Sequence, residues 1–125
     1  MLDASAALSG LFNAGPARDL LAGERLHAPH LIDSEVASGL RRHVASGRIT
    51  APDGWALLDT WRRLALSRHA VQGFLERIWG MRDDLSAYDA GYVALAENLG
   101  CALVTADARI SRAPGLHCPI TVVPR

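Results

Sequence analysis

Residues Ser86–Ile110, SAYDAGYVALAENLGCALVTADARI, carry the clearest structural pattern in this chain. Almost every position of Ala87–Leu99 is apolar or small, which predicts a helix that is covered on most of its sides. Gly100 is expected to end this helix, and the residues LVT at 103–105 predict a short buried strand. The rest of the chain is expected to be organised around this helix and strand.

Two acidic residues stand out in this stretch because of where they fall. Ser86 is predicted to cap the helix by accepting the amide of Asp89, which lies on the same side of the helix as Tyr92 and Val93. An unpaired charge on a buried face costs several kcal/mol or shifts its pKa. Asp107 follows the strand, and the carboxyl ends of strands are where open α/β sheets bind their ligands.

Composition limits the class of protein. A chain of 125 residues that is 50% hydrophobic is expected to form one domain over residues 1–125, with a core of its own. The 13 basic and 13 acidic residues balance, which argues against a strongly basic protein that coats nucleic acid. All the basic residues are arginines, so a Walker P-loop and a lysine Schiff base are both excluded.

The cysteines and the apolar runs give no sign of secretion. Cys101 and Cys118 are too few for a disulfide scaffold and are expected to be reduced and buried. The chain has no Cys/His spacing typical of a metal site. It also lacks a signal segment and any apolar run near the ~18 residues of a membrane span, so a cytoplasmic protein is expected.

Helical and strand patterns alternate along the whole chain. Leu2–Ala4 is predicted to be a short first strand, with a break at residues 10–15. Further helices are predicted at 16–22, 32–46, 50–66 and 73–81, and further strands at 26–28, 69–71 and 120–123. This alternation predicts a three-layer α/β domain with a mainly parallel sheet.

Four acids are candidates for one site: Asp3 at the end of the first strand, Glu35 beside an apolar helical face, Asp89 and Asp107. Each taken alone has an ordinary structural explanation as a turn, cap or first-turn residue, which is also how we interpret Asp33. Carboxylates brought within a few Å of one another repel, and a hard divalent cation relieves that repulsion. The four together therefore predict a metal site.

Three segments carry a resemblance to a known family. LDASA at 2–6, LIDSEVASGLRR at 31–42 and LSAYDAGYVALAENLGCALVTADARI at 85–110 resemble the PIN-domain ribonucleases, and specifically the VapC-type toxins of bacterial toxin–antitoxin pairs. The resemblance implies a PIN-like α/β/α fold and an endoribonuclease dependent on Mg²⁺ or Mn²⁺. It also implies a homodimer and a VapB-like antitoxin that neutralises the toxin.

The family's acidic positions correspond to Asp3, Glu35, Asp89 and Asp107, with the hydroxyls of Ser5 and Thr105 in support. We expect the three aspartates to hold metal and Glu35 to orient or deprotonate the attacking water. Some relatives carry a further acid where this chain has an arginine, which argues against a fully occupied two-metal site. Candidate contacts to RNA phosphates are Arg41, Arg42, Arg82, Arg109 and Arg112.

Two other classes of protein deserve comparison. A phosphoacceptor receiver domain needs an acidic pair after its first strand and a later lysine, and this chain has neither. A catalytically silent PIN-fold module that only engages an antitoxin-like partner stays open as the alternative. The family includes enzymes that cut tRNA anticodon loops and others that cut the ribosomal sarcin–ricin loop, and the sequence does not choose between tRNA and rRNA.

Two further expectations concern aromatic surface and charge. Trp55, Trp61, Phe74 and Trp79 are a large aromatic set for so small a domain, and they predict an apolar groove for a dimer or an antitoxin. The alternative for Trp55 and Trp61 is that they fill the core. Replacing Asp89 or Asp107 by Asn is expected to stabilise the metal-free protein, with the larger gain at Asp107.

Overall fold

The computed structural model describes all 125 residues. Its parallel strands form two pairs: β1 (Leu26–Pro29) with β2 (Leu66–His69), and β3 (Leu103–Thr105) with β4 (Ile120–Val122). The N-terminal residues lie between the pairs, since the Leu2 amide donates to His27 and the Asp3 amide to Val104, each at 3.1 Å. The backbone thus joins both pairs into one parallel arrangement at the centre of an α/β fold, as the alternating pattern predicted.

Six helices surround these strands. They are α1 (Ala4–Phe12), α2 (Pro16–Gly23), α3 (Ile32–Ala45), α4 (Ala51–Arg62), α5 (Leu75–Gly80) and α6 (Ala87–Leu99). Short 3₁₀ turns occupy Gln72–Phe74 and Ile110–Arg112. Helix α6 packs against β1 and β3, and α1 packs against β3, α2 and α3. None of the helices is long and apolar enough to cross a bilayer.

The central stretch folds as predicted. Helix α6 begins after Ser86, whose hydroxyl accepts the amide of Asp89 at 3.2 Å, and every residue from Ala90 to Ala96 is buried. The helix ends at Gly100 in the left-handed conformation, with φ of 64°. Such a backbone favours glycine, which explains why the helix ends at this residue.

The first strand and the first break differ from the prediction. Only Leu2 forms a β-bridge, and the helix already starts at Ala4 because the Asp3 side chain caps it. Helix α1 also continues through Gly10. A Cβ at Gly10 would lie 3.1 Å from the Ala17 carbonyl carbon, so this glycine allows α2 to pack closely against α1.

The middle of the chain shows smaller shifts. Helix α4 begins at a capping box formed by Thr50 and Asp53, but it ends at Arg62 rather than at residue 66. Strand β2 lies at Leu66–His69, earlier than the predicted 69–71. Because β2 pairs only with β1, it is an edge strand, and its polar residues gave no apolar pattern to detect.

The tryptophans divide between core and surface. Trp61 is 2% exposed, whereas Trp55 is 57% and Trp79 is 69% exposed. The Trp61 indole donates to Asp33 at 2.9 Å, and Arg68 binds both oxygens of the same carboxylate. Asp33 does lie in the first turn of α3, but its main contacts are tertiary.

The cysteines were predicted to be reduced and buried. Both are free thiols, but each is only half-buried. Cys101 and Cys118 lie just before β3 and β4, where the ends of the strands are partly open to solvent.

Candidate active site

A cleft of about 900 Å³ collects the four predicted acids at one end of the strands. Asp3 caps α1, Glu35 and Asp89 lie in the first turns of α3 and α6, and Asp107 follows β3. Helix N-termini carry partial positive charge, which stabilises carboxylates placed there. The fold therefore brings these acids together by converging three helix starts and one strand end.

Asp3 is the most enclosed of the four, at 4% exposure. Its Oδ1 accepts the Ala6 amide at 2.9 Å and the Ser5 hydroxyl at 2.7 Å. Burial raises the pKa of this carboxyl, and hydrogen bonds from Thr105, Ala6 and Ser5 oppose the rise. The capping role that was its alternative explanation is therefore real, and it uses Oδ1.

A line of hydroxyls ties this end of α1 to the end of β3. Ser5 donates its single proton to Asp3, and the Ser5 and Thr105 hydroxyl oxygens lie 3.1 Å apart. Thr105 Oγ1 in turn accepts the Asp107 amide at 3.0 Å. Ser5 and Thr105, the two predicted supporting residues, thus connect Asp3 to Asp107.

Glu35 is held by a residue that the sequence did not single out. The buried Tyr92 hydroxyl donates to Glu35 Oε1 at 3.0 Å. Burial raises the pKa of Glu35, the Tyr92 hydrogen bond lowers it, and the charges of Asp89 and Asp3 raise it. The signal for Tyr92 was its position one helical turn after Asp89 on the same face of α6.

Asp89 responds to the other carboxylates. Its pKa is raised by burial first and by the charge of Asp3 second, with a smaller contribution from Asp107. Three of the four acids therefore have raised pKa values, first because they are buried and second because the neighbouring carboxylates repel their charged forms.

Asp107 is different, because Arg109 binds it. The guanidinium donates from Nε to Oδ1 at 3.0 Å and from Nη2 to Oδ2 at 2.8 Å. These hydrogen bonds lower the pKa of Asp107. The expectation that Asp107→Asn relieves the most repulsion is therefore wrong, since this carboxylate already has a cationic partner.

The donor set fits a hard divalent cation. The four side chains offer only carboxylate oxygens, and Mg²⁺ is bound through one or two carboxylates while it keeps several waters. As placed, no three acidic, histidine or cysteine side chains converge tightly enough to ligate one ion together. Asp3, Glu35 and Asp107 instead bind Ser5, Tyr92 and Arg109, respectively.

The predicted phosphate-binding arginines divide into two groups. Arg42 and Arg109 line the cleft, whereas Arg41, Arg82 and Arg112 do not. The cleft also contains Arg48, Arg125 and His43, which the sequence analysis missed. His43 lies in the last turn of α3, Arg48 follows that helix, and Arg125 is the last residue of the chain.

Comparison with known proteins agrees with this geometry. The PIN domain family model matches residues 1–116. The chain is 62% identical over 125 residues to VapC ribonuclease Mb0985 of Mycobacterium bovis, covering 100% of this chain and 98% of that protein. Ribonuclease VapC9 of Mycobacterium tuberculosis H37Rv gives the same identity and coverage.

A more distant relative covers a similar length. Ribonuclease VapC1 of Mycobacterium tuberculosis H37Rv is 38% identical over 128 residues, which cover 98% of this chain and 96% of that protein. The match to the family model spans the four acids of the cleft. By fold, by the residues of its cleft and by similarity over its whole length, the chain belongs to the PIN-domain family, among the VapC ribonucleases.

Proposed function

We propose that this protein is a metal-dependent endoribonuclease toxin that hydrolyses a phosphodiester bond of a structured RNA, either tRNA or rRNA. The convergence of Asp3, Glu35, Asp89 and Asp107 on one cleft is the observation that carries the proposal. Three of these carboxyls have raised pKa values, so the cluster is costly without a cation. The names of the VapC relatives support the same activity.

The aspartates are proposed to hold Mg²⁺ or Mn²⁺, which supplies positive charge for the attacked phosphate when bound. Ser5 and Thr105 orient Asp3 through the hydroxyl line described above. Asp107 would give up part of its contact with Arg109 if it held the metal, and the Arg109 guanidinium would then be free to bind RNA phosphates.

Glu35 is proposed to be the general base. Its carboxylate takes a proton from the attacking water as the water oxygen bonds to phosphorus, and the bond to the leaving oxygen breaks. The leaving oxygen receives a proton from solvent. A carboxyl with a raised pKa is a stronger base than an ordinary one, and Tyr92 holds it in position.

A VapB-like antitoxin and a second copy of the chain are the proposed protein partners, and the cytoplasm is the proposed location. The family implies these assignments, and exposed Trp55 and Trp79 offer apolar surface for such contacts. The alternative, a silent module that only binds an antitoxin, is disfavoured because all four acids are present and face one cleft.

The test is RNA cleavage by the purified chain freed of any partner. Cleavage is expected with Mg²⁺ or Mn²⁺ and is expected to stop in EDTA. Glu35→Gln should lower kcat by about 10²- to 10⁴-fold, the usual contribution of a general base. Glu76→Gln is the matched control, since Glu76 is exposed and lies outside the cleft. Cleavage that persists in EDTA, or that survives Glu35→Gln, contradicts the proposal.

A further inference from the structure

We propose that the end of the cleft opposite the acids binds an unpaired nucleotide of the RNA, a site that rests on the proposed nuclease function. The site, which we call the aromatic end, consists of Phe12, His43, Arg42 and Arg48, all of which line the cleft. A nucleobase stacks on the Phe12–His43 pair, and the two arginines bind the adjoining phosphates. Single-stranded RNA is recognised in this way, by aromatic stacking together with cationic side chains.

The position of this end follows from the two helices that form the cleft. Asp3 caps the start of α1 and Phe12 is its last residue, while Glu35 and His43 lie in the first and last turns of α3. At 1.5 Å per helical residue, the aromatic end is about 12–14 Å from the acids along both helices. A strand of RNA whose phosphate lies at the acids therefore reaches the aromatic end with a neighbouring nucleotide.

Phe12 and His43 come together because α1 and α3 pack closely against each other. A Cβ at Gly39 would lie 2.3 Å from Leu8 Cδ1, so this glycine allows the helices to meet. One turn further along each helix, the rings of Phe12 and His43 stack with centroids 4.5 Å apart and planes at 28°. Both rings are only half-buried, so part of each ring surface stays accessible to a ligand.

The imidazole of His43 has a defined free atom. Its Nδ1 lies 2.9 Å from the Gly39 carbonyl oxygen, and because a carbonyl only accepts, Nδ1 must donate. Nε2 is then left for a ligand: it accepts a hydrogen bond when the ring is neutral and donates one when the ring is protonated. Nucleobase edges offer both donors and acceptors to such a group.

The two arginines are free to bind phosphate. Neither Arg42 nor Arg48 takes part in an ion pair, and both are exposed. Arg42 donates only to Ser38, at 3.2 Å. By contrast, Arg109 at the acidic end is paired with Asp107. The cleft therefore carries acids at one end, where Arg109 is already paired with Asp107, and unpaired cations beside aromatic rings at the other.

The test is binding of two fluorescein-labelled oligomers of equal length and charge, an oligoadenylate and a base-free ribose-phosphate chain. Anisotropy is measured in Ca²⁺, which occupies oxygen-donor sites. The unmodified protein should bind oligoadenylate about 5- to 100-fold more tightly, the range for one stacked base. Phe12→Leu should bring the two affinities close together, whereas Phe12→Tyr, which keeps a ring, should preserve the difference.

A second measurement tests the arginines, whose exposed side chains can be replaced without disturbing the hydrophobic core. Arg48→Gln should weaken the binding of both oligomers equally. It should also reduce the slope of log affinity against log salt concentration by about 0.7, the value for one phosphate contact on a single strand. Arg25→Gln, exposed and outside the cleft, is the matched control and should leave the slope unchanged.

Two results would contradict the proposal that the aromatic end binds a nucleotide. One is equal affinity of the unmodified protein for the two oligomers, and the other is an unchanged salt slope in Arg48→Gln. A protein segment that occupies this end instead of RNA would give both results together. An RNA cleavage assay on the same preparation separates failure of this proposal from failure of the proposed nuclease function. Metal-dependent cleavage together with either result rejects only the nucleotide site at the aromatic end. Absence of cleavage rejects the nuclease function.

Discussion

Tyr92 tunes Glu35 through one hydrogen bond, and its removal gives a prediction at the scale of the residue. The hydroxyl donates to Glu35 and lowers its pKa, so in Tyr92→Phe the pKa of Glu35 rises further. We expect the acidic limb of the pH profile of kcat/KM to move to higher pH, with activity on that limb falling by about 10- to 100-fold. An unchanged profile would show that Glu35 is not the base. Tyr88→Phe is the control for the position of the acidic limb, because Tyr88 also lines the cleft but makes no hydrogen bond to Glu35.

Asp89 and Asp107 should respond in opposite ways to the same substitution. Burial and the charge of Asp3 raise the pKa of Asp89 in the folded protein. The contribution of Asp89 to stability is therefore complete below its unfolded pKa of about 3.9, and it is lost as the pH rises through the folded pKa. In EDTA at neutral pH, Asp89→Asn should therefore melt a few degrees above the parent. The difference should vanish on acidification below the unfolded pKa.

The pKa of Asp107 is lowered by Arg109, so its contribution is present above the unfolded pKa and is lost as pH falls. Asp107→Asn should melt at or slightly below the parent at neutral pH. The effect is small because the Arg109 side chain is 80% exposed and the pair is screened by water. Thermal melts of both variants from acidic to neutral pH measure the contrast. A higher melting temperature for Asp107→Asn than for Asp89→Asn would show that Arg109 does not hold Asp107 in solution.

At the scale of the element, the contact between α1 and α2 depends on a glycine inside a helix. A Cβ at Gly10 would lie 2.6 Å from Leu21 Cδ1 and 3.1 Å from the Ala17 backbone. Gly10→Ala should lower the free energy of unfolding by about 1–3 kcal/mol, the cost of overpacking. Chemical denaturation measures the change.

Gly23→Ala is the matched control, since no atom lies within 4 Å of a Cβ added at this last residue of α2. It should be neutral or stabilising by up to about 1 kcal/mol, because alanine restricts the unfolded chain more than glycine does. Equal stability of the two variants would mean that α1 and α2 separate at little cost.

At the scale of the whole molecule, helix α5 leaves apolar surface uncovered. Leu75 and Trp79, one helical turn apart, are 56% and 69% exposed, and Arg82 lies over the Trp79 ring at 5.0 Å. We expect the chain to dimerise through this face, and Trp79→Ala to raise the dimer dissociation constant by at least about 10-fold. Sedimentation velocity over a range of concentrations measures the effect, and a parent that stays monomeric throughout contradicts it. The melting temperature of the monomer should not change, because so exposed a side chain contributes little to the core.

The elements that could be predicted from the amino-acid sequence are those whose signals are local. Helix α6, its Ser86 cap, its end at Gly100 and strand β3 all lie where the pattern placed them, because caps, glycine and continuous apolar runs act over a few residues. The four acids were recognisable for the same reason, since each marks the start of a helix or the end of a strand. The α/β topology then brings these four acids together at one end of the parallel strands.

The partner of each side chain, by contrast, depends on how distant elements pack together. Arg109 binds Asp107, Tyr92 binds Glu35, and Phe12 stacks on His43, and the last two pairs join residues far apart in the chain. Trp61 is buried while Trp55 and Trp79 are exposed, although all three fit a helical apolar pattern. Burial depends on which helix faces cover one another, and pKa depends on charges that approach through space, so neither is encoded by spacing along the chain.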